Sequence, residues 1–199
     1  MTEMIPGQRS ERHDAVVNRA RILAAAREQF ATRGLEAEMK DIAAAADVGV
    51  GTLYRHFESR DGLVAALIEE TRAELLGRVG VAAAGGPPAE AFRSILEAAA
   101  DVHERYGALI EVAMAQTLDG ADERRLDEFT SIMDGLLRRG VAEGAFRADL
   151  DVAVTRAMVE SVFMSGKFVE LARGRGYRAA ADALASAFLA GMAAARGTA

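Results

Sequence analysis

MKDIAAAADVGVGTLYRHF, residues 39–57, is the stretch on which the fold reading turns. It reads as two short helices around the turn Asp47-Val48-Gly49. In residues 38–46 the acidic Glu38 and Asp41 lie near the positive amino-terminal end of a helix. Ile42 is its large apolar residue, and Ala43, Ala45 and Ala46 are small enough to let a neighbouring helix come close. Asp47 tolerates a left-handed backbone, and Gly49 costs little at a helix entry. Two helices joined by three or four residues including a glycine match the helix-turn-helix pattern, which alone is weakly specific.

Laid out at helical spacing, residues 50–57 divide into two sides. Leu53, Phe57 and Val50 share one side and are expected to face the other helices. Gly51, Arg55 and Thr52 lie opposite, with Tyr54 and His56 on the flanks. That arrangement suits a helix laid in a major groove: Gly51 permits close backbone approach, Arg55 points at base edges, and hydroxyl and imidazole groups face the phosphate walls. An ordinary amphipathic helix with a polar face fits the same residues, and geometry leaves the two readings level.

Before this stretch, residues 14–33 form a first helix with Ala20, Leu23, Ala26 and Phe30 on one apolar stripe, ended by Gly34. Residues 1–13 lack periodicity and are expected to be a mobile arm. Its Arg9, Arg12 and His13 are either solvated or a basic reach toward nucleic acid. After it, Ser59 caps the next helix and Asp61 occupies its first turn. This fourth helix runs to about residue 81 with Leu63, Leu67 and Leu75 among its apolar positions. AAAGGPPA, residues 82–89, is the clearest linker, since two glycines and two prolines stop a helix. Three helices follow, over residues 90–104, 108–118 and 123–143, with breaks at Gly107 and Gly120. Their apolar positions are Phe92, Ile95, Leu96, Leu109, Ile110, Met114, Phe129, Met133 and Leu137.

The last two helices, residues 153–173 and 177–196, carry small residues at four-residue spacing. Ala157, Ser161 and Ser165 form one such stripe. Ala183, Ala187, Gly191 and Ala195 form the other, beside the larger Leu184, Phe188 and Met192. Small stripes admit close helix approach, and a helix with two usable faces needs more than one partner. A two-fold bundle between copies of the chain is the natural arrangement. The expected fold is all-α, about nine helices.

Composition agrees. The 199 residues contain no cysteine, so disulfides and thiolate metal sites are excluded. There are only three prolines and no alternating strand pattern. Residues 1–60 carry nine Lys or Arg against nine Asp or Glu, and residues 61–199 fifteen against twenty-one, so the net charge of −6 belongs to the second part. An acidic body behind a neutral amino-terminal module keeps nonspecific attraction to phosphate modest. With no apolar run of about 18 residues, a soluble, cytoplasmic protein without membrane attachment is expected. His13, His56 and His103 share no ligand spacing, so no metal is expected. His103-Glu104 reads as an exposed helix end. No serine sits in a nucleophile elbow and no glycine-rich loop follows a strand, so neither enzyme chemistry nor a cofactor is expected.

Gly34-Leu35, Asp41-Ile42-Ala43, Ala45-Ala46, Val48, Gly51-Thr52-Leu53-Tyr54, His56-Phe57, Ser59 and Leu63 resemble the amino-terminal domain of the TetR family of transcriptional regulators, over roughly residues 19–67. The resemblance implies a three-helix DNA-binding domain, a long fourth helix as connector, and a helical domain that dimerises and holds a small ligand. On this reading residues 1–13 are the arm, 14–60 the helix-turn-helix domain, and 61–199 the regulatory and dimerisation domain. Thr52, Tyr54 and His56 match positions that contact the DNA backbone, Arg60 matches a lysine near the start of helix four, and Lys40 matches a position at the groove edge. Together with Gly51 and Arg55 these are the candidate DNA contacts. Gly49 stands where a serine cap is common and Asp47 where a turn glycine is common. The loop before helix two is one residue short of the commonest spacing.

The implied pocket has Phe92, Met114, Phe129, Met133, Phe163 and Phe168 as candidate lining residues, methionine being adaptable to varied apolar ligands. Ala157, Ser161, Ser165, Ala183, Leu184, Ala187, Phe188 and Gly191 are the candidate dimer residues. The implied function is a homodimeric repressor on a palindromic double-stranded operator, released by a small, largely apolar effector. An activator or protein-sensing regulator without such a pocket, and a helical enzyme with a vestigial DNA-binding module, are the rival readings.

Overall fold

The first helix starts earlier than its apolar periodicity requires. Pro6 opens it, because proline lacks an N–H that a helix start leaves unpaired anyway, and beyond Gly7 in the first turn no glycine or proline follows before Gly34. The computed structural model describes residues 6–118, 123–164 and 166–194, and among these the chain is all-α, with nine helices. Residues 6–13, expected in a mobile arm, are therefore helical. By contacts the chain divides into two compact units, Met1–Glu70 and Thr71–Ala199, with the division inside one continuous helix.

The first unit holds α1 (Pro6–Arg33), a single 3₁₀ turn (Gly34–Glu36), α2 (Met39–Ala45), α3 (Val50–His56) and the start of α4 (Arg60–Ala84). Gly34 ends α1 at φ +65°, a conformation strained for residues with a side chain. Ile22, Leu23, Ala26 and Phe30 of α1 are buried with Ile42, Leu53, Phe57, Leu63 and Leu67. Ala20, expected on that stripe, is exposed. Because α1 packs against both α2 and α3, its buried face is centred on Ile22 and Leu23 and turns away from Ala20. Asp47 takes φ +52° in the turn, where its carboxylate accepts a 2.8 Å hydrogen bond from Arg21 of α1. Arg33 and Asp41 pair at 2.6 Å and fix α1 to α2. Ser59 Oγ accepts from the Gly62 N–H at 3.0 Å, capping α4.

In the second unit the rest of α4 is followed by α5 (Pro88–Leu118), α6 (Glu123–Ala142), α7 (Val152–Met164), α8 (Lys167–Ala172) and α9 (Tyr177–Met192). Each of α5 to α9 packs on the next, and α5 packs along α9, so the five close on themselves. Inside lie Phe92, Ile95, Leu96, Met133, Leu137, Val159, Phe168 and Met192.

Three boundaries differ from expectation. The helices expected over 90–104 and 108–118 run on as α5, and the expected break falls one residue earlier, at a kink where Tyr106 leaves helical geometry (φ −128°, ψ 18°). The helix expected over 153–173 is cut by Gly166 at φ +70° into α7 and α8. Helix α9 ends at Met192, where the Arg147 N–H donates to the Met192 carbonyl at 2.9 Å. The Gly120 break and Ala195 lie outside the described residues.

Candidate functional site

Helix α3 begins at Gly49, which contributes no side-chain cap, and is held down by Leu53 and by Phe57 just past its end, both buried. Val50 is not part of this buried side: it is 42 % exposed. It sits in the first turn of a seven-residue helix, and the elements packed on α3 reach Leu53 without covering the helix entry. The structure thus widens the exposed face by an apolar residue that the helical layout had placed inside.

On that face Tyr54 is 46 % exposed, Gly51 and Arg55 are exposed, and Thr52 and His56 are half-buried. Arg55 Nη2 donates to Thr52 Oγ1 at 2.9 Å, so the guanidinium lies along the polar face of the helix. A Cβ added at Gly51 would meet nothing within 4 Å. No packing inside the unit therefore requires a glycine there, whereas a partner approaching the backbone would.

The other candidate contacts are engaged locally. Lys40 pairs with Glu38 at 2.8 Å, both exposed, and that hydrogen bond and charge raise the lysine pKa. Arg60 donates to the Ala37 carbonyl at 2.7 Å and its guanidinium lies 5.6 Å from the centre of the Phe30 ring. It braces the loop before α2 from the start of α4. The Lys40 pairing is local, two residues apart in the chain, whereas the attachment of Arg60 joins segments distant in sequence and gave no sign there.

In the second unit the candidate pocket residues separate into groups. Phe163 and Phe168 stack at 4.3 Å between ring centres, with Tyr177 5.7 Å from Phe168. Phe92 instead meets Phe188 edge-on at 6.1 Å. Met133 is buried and Phe129 is partly buried against the same core. The Met114 side chain lies outside the described residues. His103 was expected at an exposed helix end; it is buried in the middle of α5, among Phe163, Phe168 and Tyr177. Its side of α5 is covered by α7, α8 and the start of α9.

Of the candidate dimer residues, Ala157, Ser161, Ala183, Ala187 and Gly191 are exposed and Leu184 and Phe188 half-buried; Ser165 lies outside the described residues. Two large apolar residues that the small-residue pattern passed over, Val154 and Met158, are also exposed on α7, at 54 % and 55 %. With Ala157 and Ser161 they make an apolar face at three- and four-residue spacing. Among the described residues no helix is long and apolar enough to cross a membrane.

The chain is similar to known proteins in both sequence and fold. Residues 22–67 match the family described as bacterial regulatory proteins, tetR family. The transcriptional repressor KstR2 of Rhodococcus jostii is 31 % identical over 145 residues, covering 67 % of this chain and 70 % of the relative. The structure of the ketosteroid transcriptional regulator KstR2 of Mycobacterium tuberculosis superposes with a TM-score of 0.66 at 26 % identity, over 88 % of this chain and 94 % of that one. That of the regulator PfmR of Thermus thermophilus does so with a TM-score of 0.66 at 28 % identity, over 85 % and 97 %.

Proposed function

The chain belongs to the TetR family of bacterial regulatory proteins and is a DNA-binding transcriptional regulator, and from that premise we propose that it is a homodimeric repressor released from its operator by a small, largely apolar effector. Each α3 enters a major groove, with half-sites about one helical turn or a multiple of it apart. Gly51 lies against the DNA, Arg55 reads a base edge, and Tyr54, Thr52 and His56 contact phosphates. The observation that carries this is the face of α3: a glycine that its own fold does not need, beside exposed Tyr54 and Arg55.

The exposed face Val154, Ala157, Met158 and Ser161 supports pairing with a second copy, together with the small residues of α9. The repressor names of the curated relatives support repression, and the description of one as a ketosteroid regulator supports an apolar effector. The effector binds in the second unit and favours a state that does not fit the operator, with α4, continuous from residue 60 to residue 84, as the connector.

Fluorescence anisotropy on duplex from the chain's own promoter region, beside random duplex of equal length, tests the reading. Arg55→Ala is expected to cost about 1–3 kcal/mol on the operator, concentrated at particular base pairs, while Tyr54→Phe weakens binding to both duplexes. Equal losses on both duplexes for Arg55→Ala would remove its readout role. No preference of the wild type for promoter duplex would overturn the proposal.

A further inference from the structure

His103 is 3 % exposed, within a cage of three aromatic rings: Phe168 at 5.0 Å, Phe163 at 6.0 Å and Tyr177 at 6.1 Å between ring centres. Its Nδ1 lies 2.9 Å from the Ala99 carbonyl oxygen. A carbonyl only accepts, so Nδ1 carries the proton. Burial pushes the imidazole pKa down and keeps the ring neutral. Nε2 therefore presents a lone pair, and this atom is buried without a hydrogen-bond partner. Folded chains rarely leave a buried acceptor unpaired in an aromatic core without a use for it.

We propose that His103 is the polar recognition point of the effector site, and that the effector is an uncharged, largely apolar ring compound whose hydroxyl donates to Nε2. This rests on the reading of the second unit as effector-binding. The acceptor sets the polarity of the match: a ligand carbonyl or ether cannot satisfy Nε2. A cationic donor would incur the same burial cost that keeps the imidazole neutral, and Asp101 and Glu74, which join this turn to α4, are already paired. Asp101 is held by Arg78 at 3.1 Å and Arg178 at 2.9 Å, and Glu74 by Arg105 at 3.0 Å and by the Tyr106 hydroxyl at 2.8 Å.

Those same bonds give the site its outlet. Asp101, Arg105 and Tyr106 flank His103 on α5 within one turn, and through Arg78 and Glu74 they grip α4. Tyr106 is also where the α5 backbone leaves helical geometry. A ligand that repositions the His103 ring acts on the turn that holds the connector helix.

The test uses full-length protein without DNA. Phenol, 2-naphthol and 9-phenanthrol, each beside its methyl ether, are titrated calorimetrically, and histidine is labelled with ¹⁵N. At least one alcohol is expected to bind about two- to tenfold more tightly than its ether, the worth of one hydrogen bond. That alcohol should move the His103 Nε2 resonance while the ether leaves it in place, and His103→Phe should abolish the difference. The Nε2 resonance of the wild type decides independently of the variant. No alcohol exceeding its ether, or a preference that leaves Nε2 unmoved, overturns the assignment. Operator release by the same compounds is scored separately. Release without the alcohol preference refutes His103 but leaves effector regulation standing, and the preference without release does the reverse.

Discussion

Removing a side chain's worth of space costs a protein nothing when nothing occupies that space, and Gly51 is such a position: an added Cβ finds no atom within 4 Å. Gly51→Ala should therefore leave the unfolding midpoint unchanged or raise stability by up to about 1 kcal/mol, since alanine is the better helix former. Operator affinity should nevertheless fall, as the methyl group holds α3 away from the groove. Unchanged or tighter binding in an anisotropy titration would show that the backbone does not approach DNA there. His103 carries a second single-residue expectation, with a definite sign. Burial keeps its folded pKa below the ordinary value of 6.5, so below that pH the unfolded chain takes up a proton that the folded chain refuses. Stability then falls as pH drops through about 6.5 and on toward the folded pKa, by at most about 1.4 kcal/mol per pH unit. His103→Phe removes this dependence and the orphaned acceptor with it, so it should be more stable than wild type, by an amount that grows between about pH 7.5 and pH 5.5 in urea titrations. A pH-independent difference would show that the histidine is not held neutral in the fold. Residues such as Phe30, Ile42 and Leu53 were legible in the sequence because their periodicity alone dictates burial. His103 was not, since its surroundings come from three other helices.

At the scale of elements, the sequence announced helix ends wherever a glycine stood at the edge of an apolar pattern, as Gly34 does, and concealed them wherever a glycine stood inside one. Gly166 lies between the apolar runs of α7 and α8, and only its left-handed backbone reveals the break. Gly107 marks the kink at Tyr106 to within one residue, and a Cβ there would meet the Tyr177 hydroxyl at 3.4 Å, an ordinary contact. Gly140 is a glycine of another kind, one required by packing. An added Cβ would collide with the Phe146 ring, and the Phe146 backbone N–H donates to the Gly140 carbonyl at 3.0 Å. The loop after α6 is thus seated on the bare backbone of that helix, and Phe146 is buried by it. Gly140→Ala is expected to destabilise the second unit by about 1–3 kcal/mol despite the better helix propensity of alanine, through overpacking. Combining it with Phe146→Leu should recover part of that loss, and additivity of the two changes in thermal unfolding would disprove the contact.

For the whole molecule the question is how a module of neutral net charge joined to an acidic body holds DNA with useful affinity. One short helix with a few phosphate contacts supplies little of the electrostatic attraction on which such binding rests. Two such helices on one palindrome do much better, because the second engages at the effective concentration set by the first, which multiplies affinity by about 10²–10⁴. On this account dimerisation is part of DNA recognition. Its proposed seat, the α7 face around Val154 and Met158, can be removed without touching the core, because Met158 is 55 % exposed in the single chain. Met158→Asp is therefore expected to leave the circular dichroism spectrum and the midpoint of unfolding at high dilution unchanged. Sedimentation should show a monomer at concentrations where the wild type is a dimer, since a desolvated carboxylate in an apolar interface has no partner. Operator affinity should fall by at least about a hundredfold while half-site affinity is retained. A variant that still sediments as a dimer would move the interface elsewhere, and a monomer that still binds the full operator as tightly as wild type would mean that one recognition helix suffices.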